Sequence, residues 1–147
     1  MKSDASGDFA FVEGPTADLS FVAHGGTLEA LFTAAAGALL AATVDDPAAV
    51  EPAERHAVSF EEPDLELLLL RLLSELVFLR DARGLLLRVE AIEVAAGPPA
   101  RLAATLAGAR LDRQLHALRS EVKAATAHGL RVARVPAGWE ARVTLDV

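Results

Sequence analysis

The segment TLEALFTAAAGALLAATV, residues 27–44, decides the fold class. Its large apolar residues recur at intervals of three and four, which predicts an amphipathic α-helix, and Thr27 is a suitable N-cap residue. The predicted apolar face consists of Leu28, Leu31, Phe32, Ala35, Leu39 and Leu40. Such a face must cover a sheet or another helix, so the neighbouring segments have to supply one.

Two short strands are predicted before this helix. FAFVEG (9–14) and DLSFVAHG (18–25) flank a turn at Gly14-Pro15, and Gly25-Gly26 ends the pair. Residues 1–8 are small and polar, which predicts a mobile tail. We therefore expect one domain over residues 9–147.

A second helix is predicted after a proline-containing loop and the strand HAVSFEE (56–62). LELLLLRLLSELVFL (65–79) is the most apolar segment, and Pro63-Asp64 are expected in its first turn. Charged residues interrupt it and it is too short to span a bilayer, so a core helix that ends near Gly84 is predicted.

Two β-hairpins are predicted after the second helix. One turns at residues 97–99 and the other at residues 136–138, with alternating apolar residues on both sides. From Leu111 the pattern fits both a helix and a strand, and periodicity does not decide between them. Two helices among these strands predict an α+β domain, with the helices on one face of a mixed sheet.

Composition limits the classes of function. The 147 residues include 14 basic and 21 acidic side chains, a formal net charge of −7, which disfavours direct tight binding of nucleic acid. The absence of cysteine excludes disulfides and thiolate metal sites. Neither a secretory leader nor a membrane span is recognisable, so a cytoplasmic protein is predicted.

No enzyme motif is present, and we expect no small-molecule substrate. The four histidines lack zinc-ligand spacing, and no serine lies in a nucleophile elbow. Asp18 and Asp146, each taken alone, are typical surface acids at strand ends. If the fold brings them together with the terminal carboxylate of Val147, they could bind Ca²⁺, or Mg²⁺ or another divalent cation with added waters.

Four segments, in this order and spacing, resemble the archease family over residues 9–147. They are PTADLSFVAHGGTLEALFTAAAGAL, LLLRLLSELVFLRDARGL, EVKAATAHGL and the terminal TLDV. The resemblance implies a two-layer α+β sandwich, with EVKAATAH in a strand and LDRQLHALR in a loop or short helical excursion. It also implies an accessory protein, not an enzyme, that activates a GTP-dependent RNA ligase by promoting ligase guanylylation and multiple turnover. Such ligases join a 3′-phosphate or cyclic phosphate to a 5′-hydroxyl in tRNA splicing and RNA repair.

The resemblance assigns roles to particular residues. It implies a calcium site formed by Asp18, Asp146 and Val147, and a contact of Lys123 with the ligase or its nucleotide phosphates. Pro15 and Ala127 depart from the family pattern, which usually has histidine and tyrosine there. Two further acids, Glu29 and Glu75, match acidic positions of the family's helices, although the sequence alone predicts that they face solvent.

Two other functions are compatible with the sequence. A divergent metal-binding module could keep this fold and serve a different protein client. A stand-alone metal-dependent phosphohydrolase is disfavoured, because three oxygen ligands without a general base or nucleophile leave most of the reaction barrier in place.

Overall fold

The computed structural model describes residues 7–12 and 18–147. In this part of the chain the helices are α1 (Leu28–Thr43) and α2 (Leu65–Arg83), and a 3-10 turn covers Pro47–Ala49. The strands are β1 (Gly7–Val12), β2 (Leu19–Gly25), β3 (Glu54–Glu62), β4 (Leu85–Ala95), β5 (Ala100–Arg110), β6 (Ala124–Val135) and β7 (Gly138–Asp146). Both predicted helices and both predicted C-terminal hairpins are confirmed.

The helix ends follow from the sequence. Thr27 caps α1, its hydroxyl accepting a hydrogen bond from the Ala30 amide at 3.1 Å. Asp64 caps α2 by accepting from the Leu67 amide at 2.8 Å, so Pro63 lies before the cap and not in the first turn as predicted. Gly84 ends α2 in the left-handed conformation, with a φ of 66°.

The strands form two sheets. One has the order β1-β2-β7-β6 and the other the order β3-β5-β4, and all pairings between these strands are antiparallel. The predicted α+β class, with two helices packed on β-structure, is confirmed. The arrangement differs in detail from the single mixed sheet of the prediction, because β3 pairs with β5 and the two hairpins extend separate sheets.

Each helix packs against strands of both sheets. The side chains of α1 are therefore buried all around the helix except along one stripe, at Glu29, Thr33, Gly37 and Ala41. This packing accounts for the many alanines of α1, whose small side chains allow neighbouring elements to approach closely on several sides. One continuous core joins the helices to both sheets; among its members are Phe21, Phe32, Leu72, Leu106 and Leu145.

The first strand begins earlier than the sequence predicts. Gly7 and Asp8, assigned above to the tail, pair with Gly25 and His24 of β2. Residues 1–6 and 13–17, which include the predicted turn at Gly14-Pro15, lie outside the described residues. Neither α1 nor α2 is long and apolar enough to cross a membrane.

The connection from β5 to β6, where the sequence patterns conflicted, follows an irregular path. His116 is buried, and its Nδ1 accepts a hydrogen bond from the Asp112 amide at 3.0 Å. The Arg119 amide then donates to the Thr43 carbonyl oxygen at 2.8 Å, which holds this connection against the end of α1. Regular pairing resumes at Ala124, so Lys123 lies immediately before β6.

Candidate functional site

The register of β2 and β7 brings Asp18 and Asp146 to the same end of the four-stranded sheet. Leu19 pairs with Leu145. Asp18 directly precedes Leu19, and Asp146 directly follows Leu145. Because Cα atoms of directly opposed residues in an antiparallel pair lie about 4.5–5.5 Å apart, the two aspartates are neighbours across the strands. Asp18 is half-buried and Asp146 is exposed.

Lys123 and Val147 lie at the same end of the sheet. The Lys123 amide donates a hydrogen bond to the Asp146 carbonyl oxygen at 2.7 Å, and the next residue, Ala124, pairs with Asp146. The Lys123 side chain is exposed, and Val147, which follows Asp146, is 38% exposed. All four residues singled out from the sequence therefore lie at one accessible sheet end.

A row of hydroxyl groups lies next to the aspartates, on β2, β7 and β6. Ser20 Oγ and Thr144 Oγ1 are buried and 3.1 Å apart, and Thr126 Oγ1 donates to the Thr144 carbonyl oxygen at 3.1 Å. Side chains alternate along a strand, so Asp18 shares a face with Ser20, and Asp146 shares one with Thr144. Ser20 and Thr144 were not predicted as part of the site, although each lies two residues from one of the aspartates in the sequence.

The donor set at this sheet end suits a hard cation. Two aspartate carboxylates and the oxygens of Val147 are the kind of ligand that Ca²⁺ and Mg²⁺ prefer. The described residues contain no cluster of three or more His, Cys, Asp or Glu side chains able to hold a metal ion. A cation here would thus have only two side-chain carboxylates and would take its other ligands from the main chain, the Val147 oxygens and water.

Two further polar residues, Thr126 and His128, follow Lys123 in the chain. The Thr126 hydroxyl is bonded to the Thr144 carbonyl oxygen, and the register of β6 and β7 is irregular from Thr126 to Arg131. His128 lies exposed within this irregular stretch, and its main-chain amide donates to Thr126 Oγ1 at 3.3 Å. Ala127 is also exposed. Pro15 lies outside the described residues.

Two helix glutamates bind strand amides. Glu29 Oε2 accepts a hydrogen bond from the Val94 amide of β4 at 3.0 Å, and Glu66 Oε2 accepts one from the Val132 amide of β6, also at 3.0 Å. The prediction that Glu29 faces solvent is therefore wrong, since its carboxylate satisfies an amide of an edge strand. Glu75 is half-buried.

A second charged cluster lies toward the other end of β2. The ring of His24 contacts Glu140 Oε2 through Nε2 at 2.8 Å and Asp8 Oδ1 through Nδ1 at 3.3 Å. The hydrogen bond to Glu140 is the main reason why the pKa of His24 is raised above its ordinary value of 6.5, and Asp8 adds to the shift. Along an extended strand, His24 and Asp18 are about 20 Å apart, so the two clusters are separate.

Comparison with known proteins identifies the family. The model of the Archease protein family matches residues 9–147. The chain belongs to the archease family. It is 39% identical over 138 residues to the protein archease of Thermococcus gammatolerans, covering 90% of this chain and 94% of the relative. It is 33% identical over 135 residues to the archease of Methanosarcina mazei, covering 90% and 91%.

Solved structures share the architecture. The solution structure of protein 1598 of Methanobacterium thermoautotrophicum is 31% identical, superposes with a TM-score of 0.78, and covers 95% of this chain and 98% of that one. The crystal structure of a Thermotoga maritima archease, described as a possible chaperone, covers 92% and 98% with a TM-score of 0.58. At 17% identity, the second comparison shows the fold alone.

Proposed function

We propose that this archease-family protein activates a GTP-dependent RNA ligase that joins 3′-phosphate or cyclic-phosphate RNA ends to a 5′-hydroxyl. It promotes guanylylation of the ligase and its return to the active state, and so allows multiple turnover in tRNA splicing or RNA repair. The observation that carries the proposal is the placement of Asp18 beside Asp146. In this family member, the paired aspartates lie beside Lys123 at an accessible sheet end.

In this proposal the aspartates hold a divalent cation, Ca²⁺ or Mg²⁺, with the oxygens of Val147 as further ligands. The cation neutralises the repulsion between neighbouring carboxylates. Lys123 then offers an exposed ammonium group beside this end, suited to a carboxylate or phosphate of the ligase. The protein forms no phosphodiester bond itself.

The charge of the chain supports a protein partner over direct RNA binding. A net charge of −7 repels the RNA backbone but favours association with a basic surface. A ligase that binds RNA must carry basic residues near its substrate. We accordingly expect the protein to act in the cytoplasm on the ligase, and not to bind RNA tightly by itself.

Ligation of a 3′-phosphate RNA, with the ligase of the same organism limiting, tests the proposal. Product is counted per ligase molecule with and without this protein, and we expect it to rise well above one only in its presence. The variants Asp18→Asn, Asp146→Asn and Lys123→Ala are expected to reduce this stimulation.

The variant Asp45→Asn is the matched control, because Asp45 is an exposed aspartate at the end of α1, outside the paired aspartates. Stimulation that survives in both Asp18→Asn and Asp146→Asn would refute the role of the cation. Turnover that stays the same with the wild-type protein would refute ligase activation and favour a different protein client, which co-purification would then identify.

A further inference from the structure

A cleft of ≈ 430 Å³ opens between the C-terminal end of α2 and the irregular connection from β5 to β6. Three arginines from these segments line it, Arg80, Arg113 and Arg119. Asp18, Lys123 and Asp146 are not among the lining residues, although the cleft extends along the connection as far as Glu121.

Arg80 is held in a fixed orientation toward the cleft. Its side chain is only 15% exposed, and Nε and Nη2 donate to Asp81 Oδ1 at 3.0 and 2.8 Å. Nη2 also donates to the Val122 carbonyl oxygen. These contacts leave Nη1 without an acceptor among the residues that the structure describes. A guanidinium that is already oriented loses little entropy when it binds a further anion.

Arg113 and Arg119 add positive charge at the mouth of the cleft. Both are exposed, and neither forms an ion pair with a carboxylate in the described part of the chain. The two acids of the lining are Asp81, which is paired with Arg80, and Glu121, which is exposed. Because the acids offset two of the three guanidinium charges, the cleft retains a net positive charge within an acidic protein.

The cleft is also lined by apolar side chains and by a side-chain hydroxyl. Leu111 and Leu118 are the large apolar residues of the lining, and Leu118 is 43% exposed, so its side chain is accessible to a ligand. Ser120 adds a hydroxyl. Nucleotide sites combine arginines, which bind phosphate through pairs of hydrogen bonds, with apolar side chains that pack against the base.

We propose that this cleft binds the phosphate chain of a nucleotide, with Arg80, Arg113 and Arg119 as its phosphate ligands and Leu118 against the base. The volume lies within the range of about 300–1,000 Å³ that is usual for small-ligand sites. The proposal does not depend on activation of a ligase, because it concerns binding by the isolated protein.

Isothermal titration calorimetry with GTP, GDP and inorganic triphosphate tests it. The buffer contains EDTA, so that no cation at Asp18 and Asp146 contributes. We expect saturable binding of GTP, with triphosphate weaker, and a loss of about tenfold or more in affinity in Arg113→Ala and in Arg119→Ala, as for a lost charge-assisted hydrogen bond. Both residues are exposed, so these variants should fold, and circular dichroism checks this.

Arg142→Ala is the matched control, because Arg142 is an exposed arginine of β7 that does not line the cleft. We expect it to bind GTP as the wild type does. Equal losses in Arg142→Ala and Arg119→Ala would overturn the proposal in favour of non-specific charge attraction. Triphosphate binding as tightly as GTP, or a 3′-phosphate oligonucleotide binding when GTP does not, would overturn the assignment of a nucleotide.

Discussion

Ser20 Oγ and Thr144 Oγ1 lie 3.1 Å apart, buried across β2 and β7, directly beside the aspartates at the end of the sheet. Replacing one of the two leaves the other hydroxyl buried without this partner, which costs about 1–3 kcal/mol. We therefore expect Thr144→Val to lower the free energy of unfolding by about that amount in urea denaturation. Ser59→Ala, at an exposed serine of β3, should change it by less than about 0.5 kcal/mol.

The double variant Ser20→Ala/Thr144→Val separates the hydrogen bond from packing. Once both hydroxyls are gone, no polar group of the pair remains unsatisfied, so the combined loss should be clearly smaller than the sum of the two single losses. Additive losses would contradict an energetic coupling between these side chains.

Binding of a cation at Asp18 and Asp146 should stabilise the folded protein and raise its Tm. A ligand that binds only the folded state stabilises it by about 2.7 kcal/mol at a concentration of 100 times its Kd. We expect CaCl₂ to raise the Tm of the wild-type protein, and EGTA to reverse the rise. Asp18→Asn and Asp146→Asn should each abolish most of this shift, whereas Asp45→Asn should keep it. The same shift in all three variants would exclude the paired aspartates as the site.

The parts of the fold that the sequence predicted depend on local signals. The cap at Thr27 and the Pro63-Asp64 pair mark the helix starts, although Asp64 is the cap and not part of the first turn as predicted. The turns at residues 97–99 and 136–138 mark hairpins whose strands are close in the chain. The division into two sheets depends on the pairing of β2 with β7 and of β3 with β5, across long stretches of chain. Such pairing leaves no local pattern, and the prediction of one mixed sheet missed it.

The candidate site, like the division into two sheets, depends on residues that are far apart in the chain. Asp18 and Asp146 were brought together by the family resemblance, since no spacing connects two acids at opposite ends of a chain. Glu29 is a residue whose role could not be predicted from the sequence. Its partner, the Val94 amide, belongs to a strand that follows the second helix, so no local pattern indicates that this carboxylate binds a main-chain amide.

His24 should make stability depend on pH. Its pKa is raised in the folded protein, chiefly by the hydrogen bond to Glu140, so the folded state binds the proton more tightly than the unfolded state. The stabilisation is fully present below the unfolded pKa of about 6.5 and is lost as the pH rises through the higher folded pKa. We expect His24→Gln to lower the Tm more at pH 5.5 than at pH 8.5, values about one to two units either side of that reference.

The control for these Tm measurements is His128→Gln. His128 is exposed, as His24 is, but its ring contacts no carboxylate among the described residues. The effect of this variant on the Tm at each pH measures the cost of replacing an exposed histidine whose ring has no carboxylate contact. If the effect of His24→Gln on the Tm does not change with pH, then the contacts to Asp8 and Glu140 do not raise the pKa of His24 in the folded protein.

Gly25 and Gly26, at the junction of β2 and α1, should differ strongly in how much an alanine substitution lowers the free energy of unfolding. A Cβ added to Gly25 would lie 2.3 Å from the Leu31 amide nitrogen and 2.7 Å from the Ala30 carbonyl carbon, main-chain atoms that cannot move aside without shifting α1. At Gly26, the next residue, a Cβ would meet no atom within 4 Å, and its φ lies outside the left-handed region. We expect Gly25→Ala to cost about 3 kcal/mol or more, and Gly26→Ala less than about 0.5 kcal/mol, in urea denaturation. Similar costs at the two positions would show that β2 and α1 do not approach as closely as the structure has them.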